Sequence, residues 1–377
     1  MKKKVLITAS VYTHIRNFHL AYIKEFHKLG WETHVACANI PDNVPYVDKA
    51  IDLSFKKRII SISNFLASWK LRSKIKSEQY DLIITHTALA AFFTRLAVKG
   101  MFKRPYLINV VHGYLFDDNT QIVKKLLFLN AELFTAPETD LLLLMNNWDL
   151  DTAQKYNLGT KIIKIPGTGV NFGRIKRTNE NKVVELRAKL NIKKDENVVI
   201  YPAEFSLRKS QKVLIEALQY MGPKTKLILC GDGDTLVSCQ KYAQEIGVEK
   251  NVIFPGNIED IGFWYELADV CVSASRIEGL PHMVMEAMYM NIPVVASAVK
   301  GHVDLIVDGE TGLLYPYGEA KQCAEKVQMI LENRLLYKQI TEKAAKKMSQ
   351  YELDTVLPEV MKIYLMKWDG SIKEKNT

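Results

Sequence analysis

Short runs of apolar, largely β-branched residues recur along the 377-residue chain and alternate with longer stretches of helical period. Runs of this kind predict buried strands, and their alternation with helices is typical of parallel sheets covered on both faces. The predicted strands of the first half are 5–9, 33–38, 82–86, 106–112, 133–136 and 162–165. Those of the second half are 198–203, 226–230, 252–255, 270–274, 294–297 and 312–315. The pattern therefore predicts an α/β protein with two Rossmann-like domains.

A segment rich in proline and glycine, Pro166-Gly167-Thr168-Gly169-Val170, separates the two sets of strands. Such residues favour turns and hinges between domains. We therefore predict a first domain over 1–166 and a second over 167–353. A further helical stretch, at about 354–368, follows the last strand, and we expect the tail of the 354–377 segment to fray.

Two glutamates follow predicted strand 270–274, in the order Glu278-Gly279-Leu280-Pro281 and then Glu286. Proline suits the first turn of a helix, and glycine lets the backbone approach a ligand. The amides of such a helix start attract an anion such as a pyrophosphate. Glu286 lies about five residues inside the predicted helix, roughly 7–8 Å further along its axis. The two carboxylates can therefore hold opposite ends of an extended diphosphate ligand, and the alternative is a pair of solvated surface acids.

Three other segments follow predicted strands of the second half, where the ligands of open parallel sheets bind. Arg208 and Lys209 can bind phosphates, although an exposed lysine at a helix start is the more ordinary interpretation of Lys209. Asp232 and Asp234 form an Asp-x-Asp pattern that suits Mg²⁺, but a glycine-rich turn explains it more simply. Segment 255–260 has the composition of a common strand-to-helix turn.

The first half has candidates at two strand ends. His112 ends a predicted strand and precedes a glycine, so it can face a cleft, whereas a histidine of the core is the alternative. His14 and Arg16 follow the first strand and can either grip a phosphate or belong to a first helix. No Gly-x-Gly-x-x-Gly follows that strand, which argues against a dinucleotide dehydrogenase.

The net charge of +9 resides entirely in the first half. Residues 1–166 hold 23 Lys and Arg against 14 Asp and Glu, whereas the remainder holds 28 of each. Basic clusters with interleaved apolar residues are typical of segments that bind an anionic membrane surface. They occur at 56–58, 70–76, 95–104 and 124–125. Nucleic acid is a competing partner, but no zinc-finger, RNP or basic-zipper pattern is present, and a solvated face without a partner is the remaining alternative.

The five cysteines are scattered and lack zinc-ligand spacing, which indicates small core residues in a reducing compartment. No apolar stretch approaches the ~18 residues that span a bilayer. The lysines before the first apolar run imitate a signal peptide, but His14 and Arg16 interrupt that run early, so a first strand is the better interpretation.

The block from Glu278 to Glu286 resembles the Glu-x7-Glu signature of retaining glycosyltransferases of the GT-B fold, especially family 4. His112-Gly113 matches the His-Gly motif of that family. The loop from Thr13 to His19 is similar to a branch that makes bacterial capsule and exopolysaccharide. The resemblance covers nearly the whole chain. It implies a cleft between the two domains, a C-terminal helix that crosses back to the first domain, and no requirement for a metal or another cofactor.

The resemblance also implies residue roles. Glu278 would position the donor sugar, Glu286 would hold the ribose, and His112 would reach the donor from the first domain. The other donor-binding positions are Lys209, Arg208, Asn257, Ile258, Gly279, Leu280 and Pro281. His14 and Arg16 would lie on the acceptor side.

The chain departs from the family pattern after predicted strand 198–203. The family has Gly-Arg there and a lysine five residues later. Lys209 matches that lysine, but Ala203 and Glu204 replace the Gly-Arg pair. One expected cation is therefore missing, and Arg208 is a candidate to supply it.

The implied activity is transfer of a sugar from a nucleotide-sugar, UDP-linked by preference, to a lipid-linked saccharide in bacterial surface polysaccharide biosynthesis. The implied location is cytoplasmic, peripheral on the inner face of the cell membrane. One alternative is a nucleotide-sugar epimerase or hydrolase of the same architecture. Another is a catalytically silent, membrane-associated protein that binds nucleotide-sugars. Replacing Glu278 with Gln is expected to lower turnover strongly with little change in folding.

Overall fold

The computed structural model describes residues 2–56, 61–175 and 180–369. Most of the basic cluster at 56–58, and the terminal residues expected to fray, lie outside the described residues. The chain divides into two compact units. The first unit runs to Gly169 and resumes at Leu353, and the second is Val170–Glu352.

The first unit is built on a seven-stranded sheet in which every pairing is parallel. Its strands are β1 (Lys4–Val11), β2 (Glu32–Ala38), β3 (Lys49–Asp52), β4 (Leu82–His86), β5 (Tyr106–Val111), β6 (Leu141–Leu144) and β7 (Lys161–Lys164). The helices between them are α1 (Tyr12–Phe18), α2 (Leu20–Lys28), α3 (Ile62–Glu78), α4 (Ala88–Val98), α5 (Ile122–Thr135) and α6 (Asn147–Tyr156). The strand order is β3-β2-β1-β4-β5-β6-β7.

The predicted strand at 133–136 is wrong, because these residues end α5 and continue into a short 3₁₀ turn. Helix α5 keeps many apolar side chains on its exposed side, so its last turn imitates a buried run. Strands β3 and β6 were missed. The all-leucine sequence of β6 lacks the β-branched residues that mark the other strands.

The second unit contains a six-stranded parallel sheet of order β10-β9-β8-β11-β12-β13. Its strands are β8 (Asn197–Pro202), β9 (Thr225–Cys230), β10 (Val252–Gly256), β11 (Val270–Ser273), β12 (Val294–Ser297) and β13 (Leu313–Tyr315). The helices are α7 (Glu180–Lys189), α8 (Gln211–Ala217), α9 (Leu236–Glu245), α10 (Ile261–Leu267), α11 (His282–Tyr289), α12 (His302–Leu305), α13 (Ala320–Glu332) and α14 (Arg334–Met348). All six strands predicted in this half are confirmed to within one or two residues at their ends.

The second sheet lies between two apolar cores, as its continuous apolar strands predict. Successive residues of β8 point to opposite faces, so Val198 belongs to one core and Val199 to the other. All five cysteines are buried and none forms a disulfide, which agrees with their predicted place in the core.

Each sheet has a point at which its strand order reverses. In the first sheet the reversal lies between β1 and β4, and in the second between β8 and β11. At such a point the loops that leave the two strands diverge to opposite faces and open a crevice at the carboxyl edge. The topology therefore predicts one ligand-binding edge in each unit.

The last helix, α15 (Leu353–Leu365), belongs to the first unit. Tyr364 is buried against Tyr22 and Phe26 of α2, with ring centroids 5.6 and 6.3 Å apart. Trp368 meets Trp31 edge-on at 5.0 Å. In the described part of the chain, none of the helices combines the length and the hydropathy that crossing a bilayer requires.

Candidate active site

The segment that carries the two glutamates leaves β11 at the reversal point of the second sheet. Helix α11 begins at His282, so Pro281 is the residue before the helix and does not lie in its first turn as predicted. Its backbone is extended, with φ −76° and ψ 109°. Glu286 is the fifth residue of the helix, and Gly279 and Leu280 lie in the loop that precedes it.

Glu278 is buried and lies between two cations. Its Oε1 is 2.5 Å from Lys209 Nζ, and its Oε2 is 3.1 Å from Arg208 Nη1. Burial alone would raise the pKa of this carboxyl, but the charges of Lys209 and Arg208 outweigh burial and lower the pKa to about 2. Lys209 itself is only 14% exposed, so the interpretation as a solvated surface lysine is wrong. Glu278 is therefore ionised at neutral pH.

The loops that leave β8 and β11 are tied together beneath this charge cluster. The hydroxyl of Tyr201 donates to the carbonyl oxygen of Lys209 at 3.2 Å and lies 2.8 Å from the Ser275 hydroxyl. These bonds join the loop that carries the cations to the loop that carries Glu278. The charge cluster is thus anchored by Tyr201 of β8 and by Ser275, which follows β11.

Gly301 and His302 close the far side of Glu278, and sequence reasoning missed both. Gly301 has φ +83°, and a Cβ there would lie 2.9 Å from the Cβ of Glu278 and 2.8 Å from the carbonyl oxygen of Gly279. The ring of His302 is buried and bonds through Nδ1 to the carbonyl oxygen of Ser297 at 2.7 Å. Burial lowers the pKa of His302 to about 4, although the negative charge of Glu278 acts to raise it. The ring is therefore neutral at neutral pH.

Glu286 has partners of its own. Its carboxylate is paired with the Arg174 guanidinium, and its other oxygen accepts from the Tyr265 hydroxyl at 3.2 Å. Arg174 lies in a short helical turn 112 positions earlier in the chain, and no local pattern marks it. Sequence reasoning missed this residue because only the fold brings it to the helix.

A cleft of about 730 Å³ opens beside Glu286 at the carboxyl ends of the second sheet. Arg174, Asn257 and Ile258 line it, so the structure places two predicted donor-binding residues beside Glu286. Its described lining also contains five acidic residues, Glu204, Asp232, Glu259, Asp260 and Glu286. The cleft is therefore acidic, whereas Arg208 and Lys209 lie with Glu278 in the neighbouring cluster.

The turn after β9, which contains the Asp-x-Asp pattern, is packed closely against the loop after β8. A Cβ at Gly231 would lie 2.3 Å from the carbonyl oxygen of Ala203, and one at Gly233 would lie 2.3 Å from that of Phe205. Asp232 Oδ1 accepts from the amide of Gly233 at 2.7 Å. Close packing of two backbones explains both glycines.

In the first unit, four histidines meet at the carboxyl edge of the sheet, where its strand order reverses. They are His14 and His19 after β1, His86 at the end of β4, and His112 after β5. His86 Nδ1 lies 3.2 Å from His112 Nε2, and the His14 and His112 rings meet edge-on at 4.6 Å. Burial lowers the pKa of His14 to about 4. Arg16, by contrast, is exposed and donates to Asn17 Oδ1 at 3.2 Å.

Two family models match the chain, one in each half. Residues 18–171 match the model described as Glycosyltransferase Family 4, and residues 183–347 match Glycosyl transferases group 1. The provisionally assigned glycosyltransferase EpsD of Bacillus subtilis (strain 168) is 31% identical over 381 residues, which cover all of both chains. An Escherichia coli enzyme, UDP-Gal:alpha-D-GlcNAc-diphosphoundecaprenol alpha-1,3-galactosyltransferase, is 22% identical over 81% of each chain.

The fold has solved counterparts. The structure of Anabaena HepE in complex with UDP and glucose has a TM-score of 0.79 and 19% identity, over 98% of this chain and 100% of that one. Sucrose-phosphate synthase from Thermosynechococcus elongatus has a TM-score of 0.81 and 19% identity, over the same shares. Two Rossmann-like α/β units with these counterparts define the GT-B fold, and the family models and EpsD show that the chain is a glycosyltransferase. The chain belongs to glycosyltransferase family 4.

Proposed function

We propose that this glycosyltransferase moves a sugar from a UDP-sugar to a lipid-linked saccharide during assembly of a bacterial surface polysaccharide, with retention of anomeric configuration. The observation that carries the proposal is the Glu278–Lys209–Arg208 cluster beside the acidic cleft at Glu286. The E. coli relative is named for a UDP-linked donor and a diphosphoundecaprenol-linked acceptor, and HepE was solved with UDP. Both support this choice of substrates.

Charge orients the donor in this site. The cleft at Glu286 is lined by five acidic residues against one arginine and repels a diphosphate, so it takes the uncharged base and ribose. Asn257 and Ile258 contact the base, and Glu286 accepts hydrogen bonds from the ribose hydroxyls. The diphosphate then lies against Lys209 and Arg208, which carry two positive charges against the single charge of Glu278. The sugar follows the diphosphate and is positioned by Glu278.

The reaction requires positioning more than a strong base. A hydroxyl of the acceptor attacks the anomeric carbon while the bond from that carbon to the diphosphate oxygen breaks. The proton of the hydroxyl passes to the departing phosphate on the same face of the sugar, so the configuration is retained. Lys209 and Arg208 stabilise the charge that develops on UDP.

A transfer assay separates this proposal from its two rivals. The purified chain is incubated with each of several radiolabelled UDP-sugars, alone and with a bacterial lipid extract that contains diphosphate-linked saccharides. The proposal expects label in the lipid phase, only when extract is present. Conversion of donor without extract supports an epimerase or hydrolase. Binding of donor in calorimetry without any conversion supports a silent binding protein.

Exposed apolar side chains on two helices of the first unit support the proposal of a membrane-bound acceptor. Helix α3 exposes Ile62, Leu66 and Trp69 to 81, 60 and 74%, and α5 exposes Val123 to 72%. Lysines lie on both helices and an arginine on α3, as the excess charge of this half predicts. Apolar side chains among cations suit the boundary between headgroups and acyl chains of an anionic bilayer. We propose that α3 and α5 hold the enzyme on the cytoplasmic membrane face.

A further inference from the structure

The side chains of the four histidines at the edge of the first sheet are in close contact with one another. The His19 and His86 rings stack with centroids 3.6 Å apart, and His14 Nδ1 lies 3.1 Å from His19 Nε2. One ring nitrogen from each of His14, His19 and His112 can be chosen so that all three lie within 4.8 Å of one another. They come from separate loops, after β1 and after β5, so the fold assembles them.

Of these nitrogens, the His14–His19 pair has the spacing of two ligands of a zinc ion. Zn–N bonds of about 2.0–2.1 Å in a tetrahedral site place ligand nitrogens about 3.3–3.4 Å apart. The His14–His19 pair is already within a few tenths of an ångström of that spacing. The third nitrogen, from His112, lies within 4.8 Å of the other two and has further to move. Each neutral imidazole has one nitrogen with a free lone pair, so binding needs a choice of tautomer and no net loss of protons.

We propose that His14, His19 and His112 form a binding site for a divalent first-row transition ion, with Zn²⁺ as the preferred ion. Three histidine ligands leave a fourth position for water or for an oxygen of a small molecule. His19 is fully buried, whereas His14 and His112 are partly exposed, so the ion enters from their side. His86 lies behind the site, with its Nδ1 3.2 Å from His112 Nε2, and orients that ring.

The choice of metal follows from the ligand type. Imidazole suits zinc, copper and nickel, whereas Mg²⁺ and Ca²⁺ require oxygen ligands. The other described group with suitable spacing, Glu32, His34 and Glu78, holds its carboxylates in ion pairs with Lys4 and Lys49. The histidine site therefore has the better donor set. It lies wholly in the first unit and does not depend on the donor chemistry proposed for the second.

The test uses the full chain without a polyhistidine tag, stripped of metal and titrated with Co²⁺ as a spectroscopic probe and with Zn²⁺ in calorimetry. The expected result is one ion per chain and the visible absorption of four-coordinate Co²⁺. His14→Gln and His112→Gln each weaken Zn²⁺ binding by at least about 100-fold, because each removes a ligand. Zn²⁺ raises the melting temperature of the unaltered chain and leaves that of His14→Gln unchanged.

The matched control is His27→Gln, which removes an exposed histidine of α2 outside the cluster and should bind Zn²⁺ like the unaltered chain. Equal Zn²⁺ affinity of the His14 and His27 variants would show adventitious surface binding and overturn the proposal. The absence of stoichiometric Zn²⁺ in the unaltered chain would overturn it as well, whatever the variants do. UDP binding measured on the same samples reports on the second unit, so a failure here is distinct from a failure of the proposed donor site.

Discussion

Glu278 is one negative charge held between two cations, and this arrangement determines what its replacement does. We predict that Glu278→Gln lowers sugar transfer by at least about 100-fold, because the donor sugar and diphosphate lose their positioning charge. The substitution also leaves Lys209, largely buried, without its anion, which costs about 1–3 kcal/mol in the free energy of unfolding. The ion pairs thus revise the expectation that folding is little changed.

Glu310→Gln is the matched control for that variant. It removes a glutamate of the same unit whose pair with Lys343, at 3.3 Å, is more than half exposed on both sides. Urea unfolding and the transfer assay should show the unaltered chain and Glu310→Gln as equals. Full transfer activity in Glu278→Gln would remove Glu278 from the proposed site.

The same carboxylate predicts a pH dependence of stability. Its pKa is about 2 in the folded protein against an ordinary value of 4.5, so the unfolded chain binds the proton more readily. The contribution of ionised Glu278 to the free energy of unfolding is therefore complete above about pH 5. It is lost as the pH falls towards about 2. Urea unfolding between these limits should show a steeper loss for the unaltered chain than for Glu278→Gln. If the free energy of unfolding fell equally with pH in both proteins, the lowered pKa of Glu278 would be contradicted.

Gly301 offers a second test at the scale of one residue. In Gly301→Ala the new Cβ meets Glu278 and the carbonyl oxygen of Gly279 below 3.0 Å, in addition to the strain of φ +83°. Gly309→Ala has a similar strain at φ +76° and nothing within 4 Å of its Cβ. We expect Gly309→Ala to cost about 1 kcal/mol and Gly301→Ala clearly more, with a raised KM for donor only in the latter. Equal effects on unfolding and KM would mean that Gly301 does not support Glu278.

At the scale of elements, local pattern predicts strands well where β-branched residues are continuous. Strand β12 has the predicted bounds because Val294 and Val295 begin a wholly buried run. The last turn of helix α5 imitates a strand because its apolar side chains face outward, and β6 was missed because leucine is a strong helix former and is not β-branched. The Glu278–Glu286 spacing is local and could be predicted. Arg174 and Gly301 could not be predicted, because only the tertiary fold brings Arg174 to Glu286 and Gly301 to Glu278.

The exposed face of α3 gives a prediction for the element. We expect the double variant Leu66→Ser, Trp69→Ser to reduce binding to vesicles of anionic lipid by at least tenfold, since each side chain buries apolar area worth about 1.5–3 kcal/mol. Its melting temperature should not change, because both side chains are exposed in the free protein. Vesicle sedimentation measures the binding.

Leu335→Ser, which removes a leucine 67% exposed on α14 of the second unit, is the control and should bind vesicles normally. Vesicles of neutral lipid provide the other comparison, because they lack the charge that attracts the basic half. If both variants bind anionic vesicles equally, α3 is not the membrane contact.

At the scale of the whole molecule, the first unit consists of two separate pieces of chain. Tyr364 is the largest fully buried side chain among the described residues of the second piece, and its hydroxyl has no hydrogen-bond partner among the described residues. We predict that Tyr364→Ala destabilises the first unit by about 3–5 kcal/mol through the cavity it leaves against Tyr22 and Phe26. Hydrogen exchange should show early opening of the first sheet, while that of the second stays protected.

Tyr364→Phe is the matched variant for this contact. It keeps the ring and removes only the buried hydroxyl, so it should be as stable as the unaltered chain or slightly more stable. Equal exchange in the two variants would show that the ring does not hold the first unit together.

The discontinuous first unit also sets an order of maturation on the ribosome. Residues Val170–Glu352 form one uninterrupted stretch, so this unit can complete its core as soon as it leaves the exit tunnel. The amino-terminal piece emerges earlier, yet Tyr22 and Phe26 stay uncovered until α15 has been synthesised. The lobe translated first is thus the lobe finished last, and chaperones that guard nascent chains should engage its helix α2 throughout elongation.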